Sequence, residues 1–512
     1  MAKSKIVNDH DIATLYVDDR PFFCYAGEIH NSSASSAAFM DEEVWPNLRG
    51  LNMNCVIAPV YWELIEPEEG SFNFTSVDDL IAGARREGMK LSLLWFGLWK
   101  NGESFYVPAW MKKDTQTYFR VRKSSGEVTR TISPLCEAGI QKDKTAFAAL
   151  MKHLRETDEK DATVIVMQVE NEIGVLGTDF DYSPEAVAAF TEEVPQAVAE
   201  EFGVSGTWKE AFGAEAYEQF LCCRYAMAVE TIAAAGKAEY DLPMYANAWL
   251  KQYPWYAGSY PTGGPIIERR RMWKTMAPSL FALAPDIYVP YCADIMDRYA
   301  EDGNPLFIPE IRKDTVTASY CLYAFLRHNA ISYSPFGIEE LSMDPDSIDK
   351  PSPELMAALN IDPSAFDIAG SKEYLSAVYS FLKNFEPIYL KVRGTDQIQS
   401  WVRHSETDFG ALLPFGEYDI AVSYAPKMPL KPLAAGAAVQ LEKDTFLVLG
   451  MMSGIEFRPK DGSGKTAGIL RLEEGSIVNG EWKARRVMNG DEQMRLNLPD
   501  QISCYKLVLY QY

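Results

Sequence analysis

The sequence predicts a (β/α)8 barrel followed by a small all-β sandwich, and three observations carry that prediction. Between residues 22 and 334, eight short apolar runs recur, and they are continuous rather than alternating. Continuous runs mark parallel strands buried on both faces. Helical segments with one apolar face separate the runs, and beyond residue 393 short β-rich pieces divided by turn clusters take over.

Taken in order, the predicted strands cover 22–27, 54–62, 90–96, 163–169, 243–249, 286–289, 305–309 and 330–334. Amphipathic segments such as 77–87 and 144–155 each lead quickly into the next strand. Eight strand-then-helix units in about 380 residues describe a barrel with long loops. A doubly wound open sheet is the competitor, but no Gly-x-Gly-x-x-Gly follows the first strand. After a helix near 373–385 the pieces at 445–449 and 505–510 read as antiparallel strands. The clusters at 460–464 and 489–491 supply turn chemistry. The expected division is therefore a catalytic barrel over 1–390 and a sandwich over 391–512.

Composition narrows the partners. The 49 basic and 72 acidic residues leave a net charge of −23, a surface that repels nucleic-acid backbones and anionic membranes. The run Arg269-Arg270-Arg271 reads as a solvated face, an ion-pair set or a contact between subunits of a homo-oligomer. No signal core follows Lys3 and Lys5, and no apolar run is long enough to span a bilayer. The eight cysteines include no Cys-x-x-Cys pair and read as buried thiols. Together these features predict a cytoplasmic protein. The five histidines show no His-x-x-x-His spacing, so neither a metal nor another cofactor is expected.

In such a barrel the chemistry sits at the C-terminal ends of the strands. Glu28, Glu63, Glu66, Glu170, Glu172 and Glu310 all fall at those ends, with Trp and Tyr nearby. Two converging carboxyl groups are what glycoside hydrolysis needs, one to protonate the departing oxygen and one to attack or stabilise the sugar carbon. Aromatic faces such as Trp95, Trp249 and Trp255 suit the apolar side of a sugar ring. Period-two alternation puts Glu170 and Glu172 on one side of their strand, so parity leaves both open as the acid. Glu63 and Glu66 stay equally open.

The stretch Val169-Glu170-Asn171-Glu172-Ile173-Gly174 resembles the acid/base motif of clan A β-galactosidases, especially glycoside hydrolase family 35. The spacing Trp62…Glu66-Pro67…Gly70…Phe72, the trio Pro108-Ala109-Trp110 and the segments 260–265 and 305–310 are similar to that family's shorter bacterial members. The resemblance implies Glu172 as proton donor, Glu310 as nucleophile and Asn171 as the residue that meets the sugar 2-hydroxyl. It implies retaining release of a terminal β-linked galactose from a small oligosaccharide or glycoside. The sequence departs from the family where Trp99-Lys100-Asn101-Gly102 replaces a glutamate-bearing stretch, and Glu28 stands ready as the substitute carboxylate. Tyr288 is placed to orient Glu310. The expected sugar-binding set is thus Glu28, Tyr61, Glu63, Trp95, Asn101, Asn171 and Tyr288. Another sugar keeps the same acid/base pair, and for a uronic acid Lys100 or Arg312 offers the cation. A binding protein without catalysis needs neither Glu172 nor Glu310.

Overall fold

The computed structural model describes residues 3–460, 464–493 and 496–512. Eight parallel strands close into a barrel in chain order: β1 (Cys24–Glu28), β2 (Cys55–Tyr61), β3 (Lys90–Lys100), β4 (Val164–Asn171), β5 (Met244–Trp249), β6 (Ala282–Ile287), β7 (Phe307–Ile311) and β8 (Ser332–Pro335). Closure is made where Ser332 and Tyr333 of β8 pair with Cys24 and Tyr25 of β1. Every residue of β2 is buried, as a strand packed on both faces requires.

The first long helix, α1 (Thr75–Glu87), shows why the crossovers form where they do. Val77, Leu80, Ile81 and Ala84 recur at helical spacing and are buried against the barrel. Asp78 near its start and Arg85 and Arg86 in its last turn suit the helix dipole, and Gly88 ends it in the left-handed conformation. Burial of one such leucine contributes about 1.5–3 kcal/mol. The remaining long crossovers are α2 (Glu137–Asp158), α3 (Ala216–Glu239) and α4 (Thr317–His328), and α5 (Ser371–Val392) follows the last barrel strand.

Two features differ from the sequence reading. A three-stranded antiparallel hairpin over residues 4–21 precedes the barrel, and the Ser4 hydroxyl ties it to the Ile165 carbonyl near the start of β4. The sixth strand begins at Ala282 rather than at residue 286. Its Ala-Leu-Ala-Pro start is poor in β-branched residues, so the stronger Ile-Tyr-Val signal downstream drew the boundary too late.

After α5 come two antiparallel sheets. One has six strands, from Ile398–Val402 through Ser503–Gln511, and the other has four. They share a core that includes Trp401, Phe415, Tyr418, Phe446 and Leu507. Ser319 of α4 docks this domain on the barrel, its hydroxyl donating to the Leu433 carbonyl and accepting from the Leu433 N–H. Gly490 opens a short 3-10 turn with a left-handed φ, while part of the 460–464 turn lies outside the described residues. All eight cysteines are buried and free. Arg269, Arg270 and Arg271 pair with Glu218, Asp302 and Glu201. Among the described residues no helix is long and apolar enough to cross a membrane.

Candidate active site

Three strands each bring a carboxylate to one cavity at the C-terminal end of the barrel. Oxygens of Glu172 after β4, Asp286 on β6 and Glu310 on β7 all lie within 4.8 Å of one another, and all three side chains are buried. The cavity holds about 200 Å³ and is also lined by Asn31, Lys100, Asn101, Trp249 and Tyr288. Asp286 and Glu310 are direct register partners across β6 and β7.

The end of β4 is shaped by a break in its pleat. Glu170 and Glu172 both have positive φ, 63° and 44°, a left-handed conformation that costs a non-glycine residue of order 1–3 kcal/mol. β3 bulges opposite this point, since its Trp95 pairs with Val169 but the next partner of Asn171 is Lys100. The bulge turns the N–H groups of Leu98 and Trp99 toward Glu170, whose carboxylate accepts them at 3.1 and 2.7 Å. Burial and the neighbouring Asp143 carboxyl hold the Glu170 proton affinity well above the usual carboxylate range. Glu170 is therefore a fastener of the bulge, and Glu172 alone of the pair lines the cavity.

Glu172 is held from two sides. Its backbone N–H donates to Asn247 Oδ1 at 2.9 Å, and Asn247 Nδ2 donates to Asp286 Oδ2 at 2.7 Å. The following turn is clasped by the 260–265 segment, with Val175 and Thr262 exchanging backbone hydrogen bonds at 3.0 Å. Burial first, and the Glu310 charge second, push the Glu172 carboxyl up to about 7. Burial and the same charge raise Asp286 and Glu28 well above the ordinary carboxylate range.

Glu310 receives two donors. The Tyr288 hydroxyl meets Oε2 at 2.9 Å and Asn171 Nδ2 meets Oε1 at 3.3 Å. Burial, followed by the Glu310 charge, raises the Tyr288 phenol, which keeps its proton for that bond. Lys100 Nζ donates to Asn171 Oδ1 at 2.8 Å.

Acceptors outnumber donors around this space. Both Glu28 oxygens, Asn31 Oδ1, Asn101 Oδ1 and Asp286 Oδ1 are buried with no hydrogen-bond partner among the described residues. Such a surface is complementary to a ligand rich in hydroxyl donors. The carboxylate trio is also close enough to share a cation, as are Asp294, Asp297 and His404 elsewhere, where His404 already pairs with Asp294 at 2.8 Å.

Of the residues picked from sequence, Glu172, Glu310, Asn101, Asn171 and Tyr288 meet at the cavity, and Glu28 lies close enough for the Glu310 charge to act on it. Glu63, Tyr61 and Trp95 are placed elsewhere. Glu63 is partly exposed and pairs with Lys112 at 2.8 Å. Tyr61 is buried against Tyr106 and Phe96, and Trp95 donates to Asp143 beneath the bulge. Glu66 accepts from the Trp62 indole and the Gly70 N–H, so the Trp-Glu-Pro-Gly motif is a staple of the loop after β2. Trp249 lines the cavity. Asp286 was missed because a late strand boundary set it at the wrong end of β6; a start at Ala282 puts it among the strand-end carboxylates.

The sequence model of the Glycosyl hydrolases family 35 matches residues 14–253, which carry β1 to β5 and Glu172. Over that stretch the chain is similar to glycosyl hydrolase family 35. A β-galactosidase of Xanthomonas manihotis is 26% identical over 182 residues, which cover 34% of this chain and only 28% of that protein. The crystal structure of a β-galactosidase from Bacillus circulans sp. alkalophilus superposes with a TM-score of 0.51 at 12% identity, covering 95% of this chain and 99% of that one. That likeness is one of fold. A domain family of unknown function matches residues 375–499, so a second recognised module follows the stretch that is similar to family 35. Glu310 lies beyond the family 35 match, and it is the barrel geometry that sets it beside Glu172.

Proposed function

We propose that this protein is a family 35 glycoside hydrolase, retaining and exo-acting, that releases terminal β-linked galactose from small oligosaccharides or glycosides. The observation that supports the mechanism is that one oxygen of Glu172 lies within 4.8 Å of one oxygen of Glu310. Retaining enzymes hold their carboxyl groups about 5–5.5 Å apart, and inverting ones about 6.5 Å or more. The choice of galactose is supported by the likeness to family 35 and by the name of the Xanthomonas relative.

Glu310 attacks the anomeric carbon as the glycosidic C–O bond breaks, and Glu172 gives its proton to the leaving oxygen. Water then attacks the glycosyl–Glu310 ester, losing its proton to Glu172, and the sugar leaves with its configuration retained. A carboxyl pushed up to about 7 holds the required proton at neutral pH. Asn171 is in place to meet the 2-hydroxyl, and the unpartnered oxygens of Glu28, Asn31 and Asn101 are suited to the other hydroxyls. We assign the chemistry to the barrel over residues 1–390, followed by the sandwich over 391–512, and place the enzyme in the cytoplasm, acting on small substrates.

Release of nitrophenol from a panel of nitrophenyl glycosides tests the reading. The β-galactoside should be fastest, and Glu310→Gln should lower its kcat by about 10³-fold or more. Fast release from another glycoside only, or turnover retained in Glu310→Gln, would overturn it.

A further inference from the structure

We propose that Lys100 is a positioning residue for the nucleophile, fixing the amide of Asn171 so that its N–H is delivered to Glu310. The inference rests on the assignment of Glu310 as nucleophile.

The placement begins with the backbone. The bulge in β3 brings Lys100 level with Asn171, and the Asn101 N–H donates to the Asn171 carbonyl at 3.3 Å. The Lys100 side chain is buried at 6% exposure, with its ammonium 5.1 Å from the Phe96 ring centre. Among the described residues that line the cavity it is the only cation.

An asparagine amide has one accepting and one donating end, and nothing intrinsic selects which faces a carboxylate. An ammonium only donates. With Nζ 2.8 Å from Asn171, the oxygen must face Lys100, and the Nδ2 end is left to face Glu310 at 3.3 Å. If the amide were reversed, its oxygen would meet Glu310 and its N–H groups the ammonium, two repulsions in a buried site. Charge points the same way. The ammonium faces Glu172 and Glu28 and lines the cavity with Glu310, and among the described residues its side-chain hydrogen bond goes to Asn171. Its charge is therefore spent within the site, in contrast to a lysine held out to read a carboxylate on the substrate.

Kinetics of Lys100→Met, Asn171→Ala and the double variant on nitrophenyl β-galactoside test this. A displaced nucleophile contact can cost on the order of 10²-fold in rate, and we expect kcat to fall by about that factor in each single variant with KM within a few-fold. The double variant should be no slower than the slower single one, because both remove the same contact. Lys100→Gln, which keeps a donor for Asn171 without the charge, should recover part of kcat.

The pH profile separates this role from a merely structural one. Lys100 opposes the raised proton affinity of Glu172, which also faces Glu310, Asp286 and Glu28. Loss of its charge should move the alkaline limb to higher pH in both Lys100→Met and Lys100→Gln. Additive losses in the double variant, or an unmoved limb, would overturn the proposal. So would an unchanged galactoside rate with loss confined to a glucuronide. Glu310→Gln run in parallel keeps the two ideas apart. If it turns over, the mechanism fails; if it is inactive while the Lys100 and Asn171 losses add, only the positioning role fails.

Discussion

Glu170 and Glu172 stand two residues apart at the end of one strand, yet their carboxyl groups serve different surroundings. Glu170 accepts the N–H groups of Leu98 and Trp99, and Glu172 lines the cavity with Glu310. Replacement should therefore split stability from chemistry. Glu172→Gln should melt near the wild-type temperature but hydrolyse unactivated galactosides poorly, with a much smaller loss on a dinitrophenyl galactoside whose leaving group needs no proton. Glu170→Gln sets an amide against two donors and should lose about 1–3 kcal/mol of stability. Urea unfolding together with rates on both substrates reads the split.

With Glu172 as the proposed proton donor, its carboxyl should set the alkaline edge of activity. With its carboxyl pushed up to about 7, Glu172 is protonated below that pH and ionised above it. The value of kcat/KM should fall about tenfold per pH unit beyond an edge near 7. A profile flat to pH 9 would remove Glu172 from the proton-donor role.

Stability carries a second pH signature. Glu28 is raised by burial and by the Glu310 charge, so the folded state keeps a proton that the unfolded chain gives up. Its contribution is complete below the unfolded value near 4.5 and is lost as pH rises toward the raised folded value. Glu28→Gln has no such proton to lose. The melting temperature of the wild type should therefore decline relative to that variant between pH 5 and pH 8, as differential scanning calorimetry would record.

Much of this architecture is legible in the sequence because parallel strands buried on both faces leave continuous apolar runs, as in the fully buried β2. The meeting of Glu172, Asn171 and Glu310 at one end of the barrel was legible through motifs at strand ends. The choice between Glu170 and Glu172 was not derivable from alternation, since the left-handed residues at 170 and 172 break the pleat on which parity depends. Asp286 was hidden by the weak Ala-Leu-Ala-Pro start of its strand. The meeting of Lys100 with Asn171 was hidden too, since it depends on a bulge that brings the two level.

Glu63 offers a contrasting case. Its carboxylate pairs with Lys112 at 2.8 Å, and both side chains are more than a third exposed. Exposed pairs of this kind contribute about 0–1 kcal/mol. Glu63→Ala should keep kcat/KM on the galactoside within about twofold of wild type, as the loss of a pair outside the cavity should. A loss of 10²-fold or more in that variant would place Glu63 in contact with the sugar.

Gly97 tests the bulge itself. A Cβ there would meet Asp143 Oδ2 at 2.5 Å and Glu170 Oε1 at 2.6 Å, and would also press on the Trp95 indole nitrogen. None of these atoms is the free end of a flexible surface chain: Asp143 holds the Trp95 indole and the Leu98 N–H, and Glu170 holds Leu98 and Trp99. Gly97→Ala should therefore force the fastening carboxylates apart, at a cost of about 1–3 kcal/mol for an overpacked core site. Because the bulge sets the level of Lys100 against Asn171, the variant should also lose kcat more than it raises KM. Urea unfolding and steady-state kinetics on one preparation check both effects. Full stability with full activity would show that the bulge is not held by these two carboxylates.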